Sequence, residues 1–320
     1  MKAILAGSAL AALILAGPAW AFPDKPITII VPAAAGGPSD TVARLVAQSM
    51  GDTLGQQVLV ENLGGAGGSL GAGQAARAAP DGYTLLLYHV GVATFSALYP
   101  QLPYEPTSDF SSVGLITEVP MAIVGRKDLP AADIAGLIEA LRGGEALSFG
   151  TAGVGAVSDL CGMLLSDALG AEMVVVPYKG TGPAMTDLMG GQIDLMCDQT
   201  TNTANQIESG EVKPYAVTTR TRIDRFPDLP TVAESGLDGF EITAWHALWA
   251  PAGTPDDIRH RLAEALRTAL HDATVKERFA ALGTVPVTDE AATPEALDTH
   301  FRSEVERWTR LIGSLETPAQ

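Results

Sequence analysis

Two glycine-rich segments carry the residues best suited to bind an anion. Residues 32–40 read PAAAGGPSD and residues 150–158 read GTAGVGAVS, and each lies between a predicted strand and a predicted helix. Small residues let the backbone approach a ligand. A helix start offers free N–H groups and the positive end of the helix dipole. Either segment alone also fits an ordinary turn with a capping residue, but the pair predicts a cleft that holds one anion from both sides.

Polar residues at the ends of two further predicted strands extend this candidate site. Asp198 and Thr201 follow the strand at 193–196, and His89 follows the strand at 83–88. Ligands of open α/β sheets lie beyond the carboxyl ends of the strands. A loop acid, a helix cap and a structural histidine are the respective alternatives. The predicted ligand-binding residues are Ala35, Gly36, Gly37, Ser39, Asp40, His89, Thr151, Gly153, Gly155, Ser158, Asp198 and Thr201.

A third glycine-rich segment, residues 64–71, contains the pattern G-x-S-x-G around Ser69. In hydrolases this pattern marks a nucleophile elbow, in which a strand runs directly into the serine. Here the predicted strand ends near Glu61, and several loop residues intervene. We therefore expect a flexible loop and a helix start, with no catalytic residue. A secreted serine hydrolase that uses Ser69 and His89 is the alternative.

Histidines and cysteines give no sign of a metal or cofactor. The five histidines are scattered without the spacing of metal ligands, and there is no CxxC motif. An exported compartment would permit a disulfide between Cys161 and Cys197. Two cysteines in so long a chain do not make a disulfide scaffold, and we expect two buried thiols that act as small apolar side chains. The pairing stays open.

Alternating strand and helix patterns must position these residues. Strands at 27–31, 58–60 and 83–88 are separated by helical spacing, and a second set begins near Met121. This order predicts an α/β fold with mostly parallel sheets. A long strand at 240–250 returns the chain, and the last 65 residues are helical. We predict domain 1 from residues 22–120 plus 243–320, domain 2 from residues 121–242, and a ligand cleft between them.

The net charge limits the classes of partner that this protein can bind, and the amino terminus indicates its compartment. The chain has 20 Lys+Arg against 37 Asp+Glu, for a net charge of −17. This argues against nucleic acid, but one small carboxylate can still bind to backbone N–H groups. Met1 and Lys2 precede an apolar run and the motif Ala19-Trp20-Ala21. This pattern predicts a signal peptide cleaved after Ala21 and an exported protein.

The ordered segments of this chain resemble the substrate-binding proteins of tripartite tricarboxylate transporters, also called the Bug receptor family. The matching stretches are PITIIVPAAAGGPSDTVARLVA, VLVENLGGAGGSLGAGQAARAAPDGYTLLL, GTAGVGAVSDL, VPYKGTGPAMTDLMGGQIDLMCDQTTNT, RFPDLPTVAESGLDGFE and WAPAGTP. The resemblance implies a monomeric periplasmic receptor with a two-domain Venus-flytrap fold of the type II kind. It further implies that the receptor delivers its ligand to membrane subunits of the transporter.

The resemblance also implies roles for particular residues. The loops Ala33 to Asp40 and Thr151 to Ser158 would hold a ligand carboxylate through backbone N–H groups and water. Asp198 would lie near the far end of the ligand. By its charge it would there repel a second carboxylate and favour an ammonium group, a hydroxyl or water, unless it is turned away or His89 or Lys179 offsets its charge. A phosphate or phosphonate receptor is the remaining alternative, because helix starts accept either anion.

Two positions depart from the family pattern. Many members carry an aromatic residue where this chain has Ala33, so an aromatic wall of the pocket is not expected. Many also carry a histidine where this chain has Asp159. We expect Asp159 to lie at the outer rim of the site.

Overall fold

The first half of the molecule is built on three parallel strands. The computed structural model describes residues 22–315. β1 pairs with β2 on one side and with β3 on the other, and four of its five residues are buried because helices cover both faces of the sheet. The elements are β1 (Ile27–Val31), α1 (Pro38–Leu54), β2 (Val58–Asn62), α2 (Ser69–Ala76), β3 (Thr84–His89) and α3 (Phe95–Leu98).

One long strand, β4 (Phe110–Arg126), connects the two halves. The sequence predicted a new strand at Met121, whereas this residue lies inside a strand that begins eleven positions earlier. The first part of β4 pairs with a late strand of the first half, up to Pro120. From Met121 onwards it pairs with strands of the second half. A single buried strand thus belongs to both parts of the sheet.

The second half repeats the strand–helix alternation. β5 pairs in parallel with its neighbours on both sides, and the end of β4 pairs with the last two strands of this half. The elements are α4 (Ile134–Arg142), β5 (Ser148–Thr151), α5 (Val157–Leu169), β6 (Val174–Pro177), α6 (Thr181–Met189), β7 (Leu195–Gln199), α7 (Thr200–Glu208) and β8 (Val212–Val217).

The chain then returns to the first half through residues 218–242, which connect β8 to the next strand. β9 inserts antiparallel between β3 and β4, and α8 packs against α1 while α10 packs against β4. A stripe of apolar residues on α10, including Phe301 and Trp308, is buried. The remaining elements are β9 (Thr243–Pro251), α8 (Asp256–His271), α9 (Ala273–Ala281), β10 (Val285–Pro286) and α10 (Pro294–Leu315).

Cys161 and Cys197 form a disulfide, so the expectation of two buried thiols is wrong. Cys161 lies on α5 and Cys197 on β7, and their Cα atoms are 6.2 Å apart. Helix α5 packs directly on β7. Both residues are fully buried, as small apolar side chains would be. The pairing could not be deduced from the sequence because 36 positions separate the two cysteines.

Two predictions about the ends and limits of the chain remain predictions. The signal peptide at residues 1–21 lies outside the described residues. The domain limits at 121 and 242 coincide with the change of pairing after Pro120 and with the start of β9 at Thr243. Within residues 22–315, no helix is long and apolar enough to cross a membrane.

Candidate functional site

The two halves meet along a seam of backbone contacts. We define the seam as residues 33–37, 64–68 and 91–99 of the first half together with residues 153–155 and 179–182 of the second. The Ala34 N–H donates to the Lys179 carbonyl at 3.1 Å. The Tyr99 hydroxyl donates to the Val154 carbonyl at 2.7 Å. Both glycine-rich segments singled out from the sequence therefore border one place, where the halves touch.

Glycine is required where the backbones approach most closely. Gly67 has a φ of +58°, and a Cβ at this position would lie 1.8 Å from the Val154 carbonyl oxygen. At Gly180 a Cβ would lie 2.8 Å from the Ala34 nitrogen. Side chains at either position would hold the halves apart. From the sequence, Gly67 was expected only to be part of a flexible loop, and Gly180 was not a candidate.

The two segments share one loop geometry. Gly36 and Gly155 have φ values of +79° and +78°. The Gly36 N–H donates to the Asp40 carboxylate at 2.9 Å, and the Gly155 N–H donates to the Asp159 carboxylate at 3.0 Å. Both loops thus read G-x-x-S-D, a pattern that is hard to notice in the sequence because only three of its five positions are identical.

This geometry leaves the starts of α1 and α5 without a side-chain cap. The residues before the helices, Gly37 and Ala156, have no side chain that caps the helix. The first N–H groups of a helix have no partner inside the helix. Together with the helix dipole, they form a site for a negative group.

The two aspartates differ in their electrostatic surroundings. Burial alone would raise the pKa of Asp40, but Arg44 and the Gly36 N–H outweigh it and lower the pKa. Asp159 has no such arginine, and burial raises its pKa although the Gly155 N–H acts against this. Asp159 is also 8% exposed. The expectation that it lies at the outer rim is therefore wrong, because its carboxylate turns back onto its own loop.

Three buried polar side chains, those of Ser39, His246 and His89, lie next to one another between α1 and the sheet. The Ser39 Oγ lies 3.1 Å from the His246 Nε2, and the ring of His246 meets that of His89 edge-on at 5.9 Å between centroids. The His89 Nδ1 accepts the Gly91 N–H at 3.0 Å. Burial lowers the pKa of His246 to about 3 and that of His89 well below its usual value. Both histidines are therefore neutral at pH 7.

His246 was not predicted as a site residue because it lies inside the long apolar strand β9, where no motif marks it. The contact of His246 with Ser39 lacks the features of the catalytic serine–histidine pair of a hydrolase. The His246 Nδ1 has no hydrogen bond to a carboxylate among the described residues, and so weakly basic a histidine is a poor general base. Ser69 also lacks the context of an elbow, since a short turn at Ala66–Gly68 separates α2 from β2.

Asp198 lies at the end of β7, fully buried beside the seam. Its Oδ2 accepts the Asn202 side-chain amide at 2.5 Å, while its Oδ1 has no hydrogen-bond partner among the described residues. Burial raises the pKa of Asp198 to about 6, although Asn202, the Gln199 N–H and the Thr181 hydroxyl act to lower it. Thr181 begins α6, directly after Gly180 of the seam.

Other predicted residues shape the loops. Ser158 accepts the Ala152 N–H at 2.9 Å, and Thr151 accepts the Gly153 N–H at 3.2 Å. The hydroxyl of Thr201 is buried without a partner among the described residues. Ala35 and Gly36 are exposed, whereas Gly37 is buried. Which of these residues contact a ligand stays a prediction.

No group of histidine, cysteine or acidic residues within 22–315 is arranged to hold a metal ion. A sheet shared by two halves, two open helix starts and a glycine-lined seam define a solute receptor of the periplasmic binding protein class. The family model of the tripartite tricarboxylate transporter receptor matches residues 42–316. The chain belongs to this family, and the resemblance and fold predicted from the sequence are confirmed.

Individual relatives agree with this assignment. A protein of Agrobacterium vitis, described as a UPF0065 protein in the TAR-I ttuE-ttuC' intergenic region, is 67% identical over 293 residues, which cover 91% of this chain and 85% of the relative. The structure of the periplasmic binding protein BugD is 47% identical with a TM-score of 0.90, covering 93% of this chain and all of BugD.

Two further solved structures contain ligands. MatC from Rhodopseudomonas palustris with bound malate is 40% identical, with a TM-score of 0.88, and covers 91% of this chain and 100% of MatC. Rpa4515 from R. palustris with adipate is 31% identical, with a TM-score of 0.87, and covers 92% of this chain and 98% of Rpa4515.

Proposed function

We propose that this protein is a periplasmic receptor that binds a small organic carboxylate between its halves and delivers it to the membrane subunits of a tripartite tricarboxylate transporter. The observation that carries this proposal is the pair of G-x-x-S-D loops, which place two helix starts without side-chain caps beside one seam. A receptor that works alone outside the inner membrane requires export, in agreement with the predicted signal peptide. We further propose that the protein is a monomer and no enzyme.

Neutral donors are sufficient for such binding. A hydrogen bond to a charged group contributes about 1.5–3 kcal/mol. A few of them support micromolar binding, which corresponds to about −8 kcal/mol. The net charge of −17 does not oppose this, because exposed acids farther away than about 8 Å are largely screened at physiological salt.

We propose a dicarboxylic acid as the ligand. Malate and adipate, the ligands in two related structures, are both dicarboxylates. One carboxylate would take the helix starts of α1 and α5. The other would then lie towards Asp198 and Thr201, because Asp198 Oδ1 and Thr201 Oγ1 are buried without a hydrogen-bond partner among the described residues.

A thermal-shift screen tests this function. The screen includes malate, adipate, citrate, amino acids, aromatic acids and inorganic phosphate. A ligand present at about 100 times its Kd stabilises the folded state by about 2.7 kcal/mol, so the melting temperature should rise with malate or adipate. A response to phosphate alone would favour the phosphate receptor, and a response to none would refute the carboxylate assignment.

The variant Ser69→Ala separates binding from hydrolysis. Ser69 lies at the start of α2, and its main-chain carbonyl accepts the Tyr104 hydroxyl, a contact that alanine keeps. We expect Ser69→Ala to bind malate with unchanged affinity in calorimetry. Hydrolysis of an ester substrate by the wild type that is lost in this variant would support the hydrolase instead.

A further inference from the structure

Among the described residues, no positively charged side chain contributes to the pKa of Asp198 at the end of β7. His89 and His246 are neutral at pH 7 because burial lowers the pKa of each. Arg44 is paired with Asp40, and the side chain of Lys179 is exposed. The groups that act on the Asp198 carboxylate are thus neutral donors.

The elements packed against β7 do not supply a counter-charge either. These elements are β4, β5, α5, α6 and α7. No charged group on them contributes to the pKa of Asp198, which depends on burial and on three neutral donors. Their charged residues include Glu118 and Arg126 on β4, Asp159 and Asp167 on α5, Asp187 on α6 and Glu208 on α7.

Two carboxylates close together in such a place cannot both be ionised. The Oδ2 of Asp198 already accepts the Asn202 amide. The Oδ1 makes no hydrogen bond of ordinary geometry with the described residues, although the Gln199 N–H and the Thr181 hydroxyl lie near enough to the carboxylate to lower its pKa. A proton on Oδ1 would remove the repulsion between the two carboxylates. It would also allow Oδ1 to donate a hydrogen bond to the ligand.

We propose that the receptor binds a dicarboxylate together with one proton, which Asp198 holds on Oδ1 and donates as a hydrogen bond to the far carboxylate of the ligand. The proton comes from the solvent when the ligand binds and returns to it when the ligand leaves. No bond of the ligand breaks. This inference rests on the proposed function.

Burial in the free protein makes protonation of Asp198 easier than that of an exposed carboxylate. Burial raises the pKa of Asp198 to about 6, so that protonation near neutral pH requires only a small further change. An arriving anion raises the pKa further, because a like charge disfavours ionisation. Ligand affinity should therefore depend on pH in a range where malate and adipate themselves stay doubly ionised.

Calorimetry measures the proton directly. The wild-type protein is titrated with malate and with adipate at pH 7 in two buffers of different ionisation enthalpy, and then between about pH 6.5 and 8.5. We expect uptake of close to one proton, and an affinity that falls by up to tenfold per pH unit. Lactate, which has a single carboxylate, should bind with far less uptake.

The variant Asp198→Asn should bind dicarboxylates with an affinity independent of pH, and more tightly than the wild type at pH 8.5. The control Glu208→Gln changes an acid on the neighbouring helix, where it pairs with Arg225. This control should keep both the proton uptake and its pH dependence.

Tight binding of malate or adipate without proton uptake by the wild type would overturn the inference, whether or not Asp198→Asn folds. Uptake that persists in a folded Asp198→Asn would overturn it as well. Failure of every carboxylate to bind at any pH would instead refute the proposed function, so the two failures are distinguishable.

Discussion

Replacing Gly180 by alanine tests whether ligand binding depends on closure of the seam. Gly180 has a φ of 161° and a ψ of 162°, an extended conformation that alanine adopts. The three atoms nearest to the new Cβ all belong to Ala34 in the other half, at 2.8 Å, 3.0 Å and 3.4 Å. The substitution therefore acts across the seam, while the fold of each half is left intact.

The expected loss follows from these distances. Carbon atoms in contact prefer separations of about 3.5–4.0 Å, so the halves must separate locally and stretch the bond from the Ala34 N–H to the Lys179 carbonyl. Overpacking of this kind costs about 1–3 kcal/mol. If only the closed state binds the ligand well, the affinity falls by about 5- to 150-fold.

Calorimetry with malate measures this loss, and the melting temperature without ligand reports on the fold. The control Gly136→Ala places its Cβ 3.6 Å from the nearest atom, on α4 far from the seam, and should bind normally. A folded Gly180→Ala with wild-type affinity would refute the reasoning. An equal loss of affinity in Gly136→Ala would also refute it.

Two further predictions concern stability. The double variant Cys161→Ala with Cys197→Ala opens a loop of 36 positions and should lose about 3–4 kcal/mol in urea unfolding; an unchanged midpoint would contradict this. The pKa of His246 is about 3 in the folded state and about 6.5 in the unfolded state. The folded state therefore holds His246 neutral, and the stability that this provides is full above pH 6.5 and falls as the pH drops towards 3. Between pH 7 and 5 the wild type should therefore lose about 2 kcal/mol more than His246→Gln in urea unfolding, and equal losses would show that His246 does not titrate in this way.

Local patterns were sufficient to predict most of the elements. β1 was predicted with its observed limits, because a run of β-branched residues between turn residues has few alternatives. The glycine-rich turns before α1 and α5 were found for a similar reason, since glycine and proline interrupt regular structure. The helical stripe of α10 was readable because its period is set by the helix itself.

Residues whose neighbours are distant in sequence were predicted less well. β4 was predicted only from Met121 onwards, because the pairing that makes it one strand comes from β9. Ser39 was a candidate, but its partner His246 lies 207 positions away. Asp159 was placed at the rim because the local pattern does not tell in which direction its side chain turns.

The sequence by itself determined the order of strands and helices, the two glycine-rich turns and the family, because each depends on residues that are close together in the chain. Only the tertiary structure decided the disulfide, the close approach of Gly180 to Ala34 and the burial of Asp198 among neutral donors. These features depend on how two halves of one sheet meet. No local pattern contains the distances between segments that are remote in the chain. These distances decide which side chains are buried, and burial decides their charge.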